Sequence, residues 1–423
     1  MRLSAVSLAL ILLILSGCSP RQLPEQQSPP SEPPRALKIP TPPDTAQPKF
    51  DPTKFGALAK DLNQFGFKLF ADISKSEQGN FAVSPVGPFV LLELLRQGAE
   101  GDTKADLAKV LDGDDWGPAE AANLLWVLNQ NSSLAVAQKI FVDSSTSVKS
   151  DFLESIDSNL TGSIESVSFK TDIDEAQKSI ASWSSEQTGG LLGAQVPLRE
   201  DTLCVLLSTL LYQGDWVFEF QPSDTKDKPF TCADGTEIQV PTMWLDYRDL
   251  DYFQQGGVQI VALPYEDELE MLLVLPEEGS SPAAALASLD FAALTQSGDY
   301  RVTLELPRFE VKTPSLELTA PLKALGAEDL EAGADLSGML DSPDARKFGV
   351  RTFQEALVRV NETGTVAAAG TEMYATPAST ETPSEILPTE IEIHLDRPFA
   401  FVIRHKPSKA VVFLGQIERP NQS

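Results

Sequence analysis

Side chains able to do chemistry are few in this 423-residue sequence. There are two histidines, His394 and His405, and three cysteines, Cys18, Cys204 and Cys232. That is too little material for a histidine-based metal site or a triad. No CxxC spacing, G-x-S-x-G elbow, phosphate-binding loop or dinucleotide fingerprint is present. A catalyst is not expected, nor a metal or a cofactor. What stands out is residues 360–382, VNETGTVAAAGTEMYATPASTET, where an acidic residue and a glycine lead into a run of small side chains. Such a run lacks a bulky anchor for a permanent core element. It suits a segment that lies exposed in one state and slides into a crowded sheet in another.

Cys18 is the one cysteine whose surroundings give it a reaction. Arg2 precedes an apolar run over residues 3–15, too short to span a bilayer comfortably but sized for a signal-peptide core. The run closes on Leu15-Ser16-Gly17-Cys18, which looks like a bacterial lipobox. A thiol there is where lipid is attached through sulfur, and the cleaved chain then begins at that cysteine. Ser19 rather than Asp follows it, which resembles the outer-membrane-directed class where the host has two membranes. The expectation is a signal peptide over 1–18, a lipid-anchored Cys18, and a domain held at the envelope facing the periplasm or the exterior. Residues 19–49 recur in proline with Gln, Ser and Glu between, a disordered, extended linker by composition.

The remainder must position whatever function residues 360–382 have. A net charge of −28 argues against nucleic acid and anionic membrane surfaces as partners. Helical periodicity runs over 55–73, and 88–97 reads as a buried helix ended by Gly98. Helices are also read over 150–159 and 174–187, the second stopped by Gly189-Gly190. Strands are read over 134–142, 203–212, 238–244, 258–263 and 271–275, and an alternating strand over 302–311. Residues 399–403 and 410–416 close the chain as a hairpin through Pro407-Ser408. His394 and His405 fall in β-like, partly exposed sequence, Cys204 in a buried strand and Cys232 before the turn Ala233-Asp234-Gly235; both cysteines are read as free thiols. Helices first and strands later make an α+β class, and nothing between Phe55 and Pro420 breaks it, so 50–423 is one domain.

Several blocks occur in order: Asn80-Phe81-Ala82-Val83-Ser84-Pro85, Gly98-Ala99-Glu100-Gly101-Asp102-Thr103, Trp183 with Thr188-Gly189-Gly190, and Gly214-Asp215-Trp216. Leu263-Pro264-Tyr265, Leu306-Pro307-Arg308-Phe309, Ala334-Asp335-Leu336-Ser337, Glu362-Thr363-Gly364-Thr365 and Arg397-Pro398-Phe399 follow. Together they resemble the serpins over about 55–420. The resemblance implies helices clustered around three β-sheets, with an exposed reactive-centre loop at about 362–390. It also implies a monomeric suicide inhibitor. A target serine protease cuts the loop and is held in a covalent complex, while the loop enters the main sheet as an extra central strand.

Under that resemblance the hinge is Glu362, Gly364, Thr365, Ala367, Ala368, Ala369 and Thr371. In a strand, Thr365, Ala367, Ala369, Thr371, Met373 and Ala375 share the inward face, and none is charged. Pro377 lacks the donor of a central strand, so pairing is expected to stop near Thr376. The shutter and breach residues are Asn80, Ser84, Ser208, Trp216 and Gln354. Ser208 and Gln354 stand where the family usually pairs asparagine with histidine, Gly87 replaces a second shutter serine, and Gly370 replaces a usual alanine. The hinge count puts the cut bond at Ala378–Ser379; counting back from Pro398 puts it nearer Ser384. No Lys or Arg lies between Arg359 and Arg397, which points away from trypsin-like enzymes toward elastase-like or subtilisin-like ones. A non-inhibitory serpin serving as a surface binding or scaffolding protein is the other reading.

Overall fold

The computed structural model describes residues 52–111, 116–131, 133–156, 160, 163–199, 201–294, 300–364 and 388–420. Cys18, the linker 19–49, hinge residues Thr365, Ala367, Ala368, Ala369 and Thr371, and the bond Ala378–Ser379 lie outside them.

Three sheets carry the fold. A six-stranded sheet runs in the order Phe81–Val83, Val411–Ile417, Phe399–His405, Leu269–Leu275, Val258–Pro264, Asp251–Gln255. A four-stranded sheet has the order Thr389–His394, Tyr300–Pro307, Glu237–Asp249, Lys226–Thr231. The five-stranded central sheet has the order Phe309–Glu317, Val350–Val360, Cys204–Tyr212, Leu134–Asp143, Ile164–Val167. A two-stranded ribbon pairs Leu340–Asp341 with Ser147–Val148. The α+β reading and the expected three sheets hold, with the ribbon added.

The helices form where apolar faces find a sheet. Pro52–Ile73 buries Leu58, Leu62, Phe65 and Leu69, spaced at three and four residues, on one face. Val86–Gly98 is buried almost all round and crosses behind the central sheet. Ile173–Gln187 covers the opposite face and is opened by Asp172, whose carboxylate accepts from Glu175 N at 3.1 Å.

Two readings are corrected. The alternating stretch 302–311 is not one strand: Tyr300–Pro307 ends in the four-stranded sheet, and Phe309–Glu317 starts in the central sheet. Pro307 has no N–H for further pairing, and Arg308 N donates instead to Pro241 O at 2.9 Å. The helix expected over 150–159 ends at Ser155 among the described residues. Its Ser155 hydroxyl turns back on Phe152 O at 2.7 Å, satisfying a terminal carbonyl. Strand Val350–Val360 and helices Gly101–Val110 and Pro118–Asn129 were not read from sequence.

Candidate functional site: the seam and mouth of the central sheet

Strands Val350–Val360 and Cys204–Tyr212 are parallel neighbours, in register from Val350 opposite Cys204 to Leu357 opposite Leu211. Both faces of the pair are covered. Leu206, Leu210, Ala356 and Val358 join the main core. Val205, Leu207 and Phe353 pack with Phe141, Ile180 and Trp183 on the other side. That double burial explains the unbroken apolar run at 204–212. Because both strands run the same way, a strand entering between them from the top would be antiparallel to each, gaining two antiparallel ladders for one parallel one.

The chain leaving Val360 is bent back over this seam. Asn361 Oδ1 accepts from Thr363 N at 3.2 Å, Thr363 Oγ1 at 3.1 Å and Gly364 N at 3.2 Å, while Asn361 N donates to Gly364 O at 2.9 Å. This is the side-chain-closed turn that Asn favours. Trp216, 1% exposed, donates its indole N–H to Asn361 O at 3.0 Å and its backbone N–H to Thr363 O at 2.9 Å. Its ring stacks on Tyr265 at 4.1 Å, and Tyr265 meets Tyr212 edge-on at 4.8 Å. Gly364 then bridges to Asp215, just past the top of strand Cys204–Tyr212. A Cβ on Gly364 would lie 2.0 Å from Gly214 O and 2.7 Å from Asp215 Cα, so only glycine fits.

Glu362 anchors the turn from below. It is 6% exposed, and its carboxylate accepts from Thr225 Oγ1 at 2.6 Å and from Arg308 Nε at 2.8 and 3.0 Å, with Arg308 Nη2 adding a further bond. Burial pushes the Glu362 carboxyl up, but Arg308 and Thr225 outweigh it and hold it below the usual carboxylate range. Burial, with Asp267 nearby, raises the Asp215 carboxyl.

The shutter lies lower on the seam. Gln354, 1% exposed, accepts from Ser84 N at 2.8 Å and donates to Ser84 O at 2.8 Å and to Ser208 Oγ at 3.1 Å. The last bond crosses from one seam strand to the other. Gly87 is enforced here: a Cβ would stand 2.3 Å from Ser208 Cβ. Ser84, Ser208 and Gln354 thus meet, and Trp216, Glu362 and Gly364 meet at the mouth. Asn80 sits apart, donating to Arg419 O at 2.6 Å and accepting from Glu418 N at 2.8 Å. The sequence reading assigned no role to Arg308 or Thr225, since neither precedes Glu362 at a spacing that marks a partner.

A model of the family described as Serpin (serine protease inhibitor) matches residues 60–420. The chain belongs to the serpin family. Serpins are protease inhibitors rather than catalysts. Among curated serpins, the leukocyte elastase inhibitor of Bos taurus is 31% identical over 388 residues, covering 86% of this chain and 99% of that one. Serpin-Z2B of Triticum aestivum is 32% identical over 385 residues, covering 84% and 95%. Two solved structures share the serpin fold: a tumour suppressing serpin, with TM-score 0.75, 23% identity and coverage of 86% and 100%, and the thermophilic serpin tengpin in its native state, with TM-score 0.75, 20% identity and coverage of 89% and 96%.

Proposed function

We propose that this serpin traps extracellular serine proteases by loop cleavage and insertion. The protease serine attacks the Ala378 carbonyl, an ester replaces the amide, and Ser379 leaves as a free amine. The loop then enters the seam from Gly364 downward and carries the ester-linked protease with it.

The observation that carries this reading is the parallel seam with the chain already folded back over its mouth. Thr365–Thr376 extended spans roughly 40 Å, as long as the 11-residue strand Val350–Val360 beside which it would lie. Its inward residues are small or, at Met373, pliable. One additional ladder at a net ~1 kcal/mol per bond yields on the order of ten kcal/mol. That equals the whole stability of a typical protease domain.

Specificity follows from the loop. Ala378 before the cut suits a small apolar pocket, and the lack of Lys and Arg between Arg359 and Arg397 leaves trypsin nothing to grip. The similarity to a leukocyte elastase inhibitor supports the elastase-like choice. The subtilisin-like class stays within the same reading. We further propose lipid attachment at Cys18, a linker over 19–49 that holds a monomeric inhibitor away from the membrane, and residence at the cell envelope.

The test is thermal. Cleavage of the loop by any non-target protease should raise the melting temperature by roughly 20 °C, taking ~10 kcal/mol at about 2 °C per kcal/mol for a large domain. An unchanged melting temperature after cleavage means no insertion, and would move the assignment to a non-inhibitory binding or scaffolding serpin.

A further inference from the structure

Glu355 is buried at 1% exposure on strand Val350–Val360, facing away from the shutter. Its carboxylate is bonded by the hydroxyl of Ser184, itself fully buried on helix Ile173–Gln187. That helix packs on Leu134–Asp143 and Ile164–Val167, which lie on the other side of the seam. Trp183 fixes it there, meeting Phe141 at 5.9 Å with Lys139 Nζ 5.6 Å from its ring. The Ser184–Glu355 bond therefore spans the two halves of the sheet.

Residues 188–199 follow the helix and extend the crossing. Leu191 O accepts from Lys312 Nζ at 3.2 Å, Gln195 N donates to Ser315 Oγ at 3.0 Å, and Pro197 O accepts from Arg351. Gln177 Nε2 ties this strap to the helix through Ala194 O at 2.7 Å. Lys312, Ser315, Arg351 and Glu355 are all on the far side of the seam, so the strap must slip when the strands part.

We propose that Ser184 and Glu355 form a latch across the seam, and that release of the Glu355 proton to solvent loosens it and speeds entry of the loop. The latch rests on the insertion reading above. Around Glu355 stand Ser184 on the helix, the Gly193 N–H on the strap, Lys312 on the neighbouring strand and uncharged Thr209 across the seam. The other charges along this face are paired: Arg351 with Glu317, Arg359 with Glu310, Lys139 with Glu165. Burial raises the Glu355 carboxyl above its ordinary value, and Ser184, Gly193 and Lys312 do not cancel it. The closed state thus holds the proton more tightly than an opened, hydrated one. Closure is firmest below the ordinary carboxylate pKa and weakens as pH rises through the raised one.

The experiment offers the protein a synthetic peptide copying residues 365–376 and follows the rate of its uptake between pH 5 and 8. Glu355→Gln keeps the shape and the Ser184 bond but has no proton to lose; its melting curve checks folding. Asp215 at the mouth is unchanged in both proteins, so the parent-to-variant rate ratio isolates Glu355. That ratio should climb with pH, at its steepest about tenfold per unit for one proton. A flat ratio overturns the latch. Ser184→Ala should take up peptide faster than the parent at pH 5, and an equal rate also counts against it. Hydrogen exchange of amides in 188–197, corrected for intrinsic pH dependence, reads the strap without any insertion. Opening that grows with pH in the parent but not in Glu355→Gln upholds the latch even where no peptide enters, an outcome that overturns the insertion reading alone.

Discussion

Replacing Gln354 by leucine tests the shutter directly. The side chain is 1% exposed and makes three hydrogen bonds: from Ser84 N, to Ser84 O and to Ser208 Oγ. Leucine is close in volume and leaves no large cavity, so the polar loss dominates. Ser84 N–H and O are buried, and Ser84 is 0% exposed, which denies them water. At a net ~1 kcal/mol each, three bonds amount to about 3 kcal/mol, and stranding the buried partners pushes the cost upward rather than down. Guanidinium unfolding followed by tryptophan fluorescence should show the midpoint fall with the slope unchanged. One of the three bonds crosses the seam, so uptake of the 365–376 peptide should also quicken. A loss below about 1 kcal/mol, or an unchanged uptake rate, would refute the claim that this side chain holds the sheet shut.

Three further outcomes are expected. Gly364→Val places a Cβ 2.0 Å from Gly214 O, a backbone atom that cannot step aside; the turn should rearrange, costing about 1–3 kcal/mol by thermal unfolding. Glu362 is held below its ordinary pKa, so its contribution is present above the ordinary carboxylate value and is lost as pH falls through the depressed one. Melting temperatures should therefore drop on the acid side, and Glu362→Gln should flatten that limb while lowering stability at pH 7. Thr365→Arg puts a charge on the inward face of the entering strand; the variant should be cleaved as a substrate without forming a stable complex, and retained inhibition would show that insertion does not start there.

Legibility in the sequence followed how local the cause was. Strand Cys204–Tyr212 was readable because burial on both faces demands an apolar run, and the helix stop at Gly98 because glycine ends the pattern. Its partner Val350–Val360 was not, although it is nearly as buried. Arg351, Gln354 and Glu355 interrupt its pattern, and their partners (Glu317 for Arg351, Ser84 and Ser208 for Gln354, Ser184 for Glu355) come from segments distant in sequence. The run 302–311 misled for the opposite reason: its alternation continues through Pro307 while the chain changes sheet. Glu362 and Gly364 stood out as the acidic residue and the glycine ahead of the small-residue run, but only the resemblance gave them a hinge role. What gives them their roles, Arg308 54 positions away and the approach of Gly214 O, is set by the fold.

The most direct test of the central claim is a denaturing gel of the protein mixed with an elastase-like protease. The account predicts a denaturant-resistant band at the summed mass of inhibitor and protease, and a released C-terminal fragment beginning at Ser379 by mass spectrometry. Complete loop cleavage with no such band, for elastase-like and subtilisin-like enzymes alike, would contradict it.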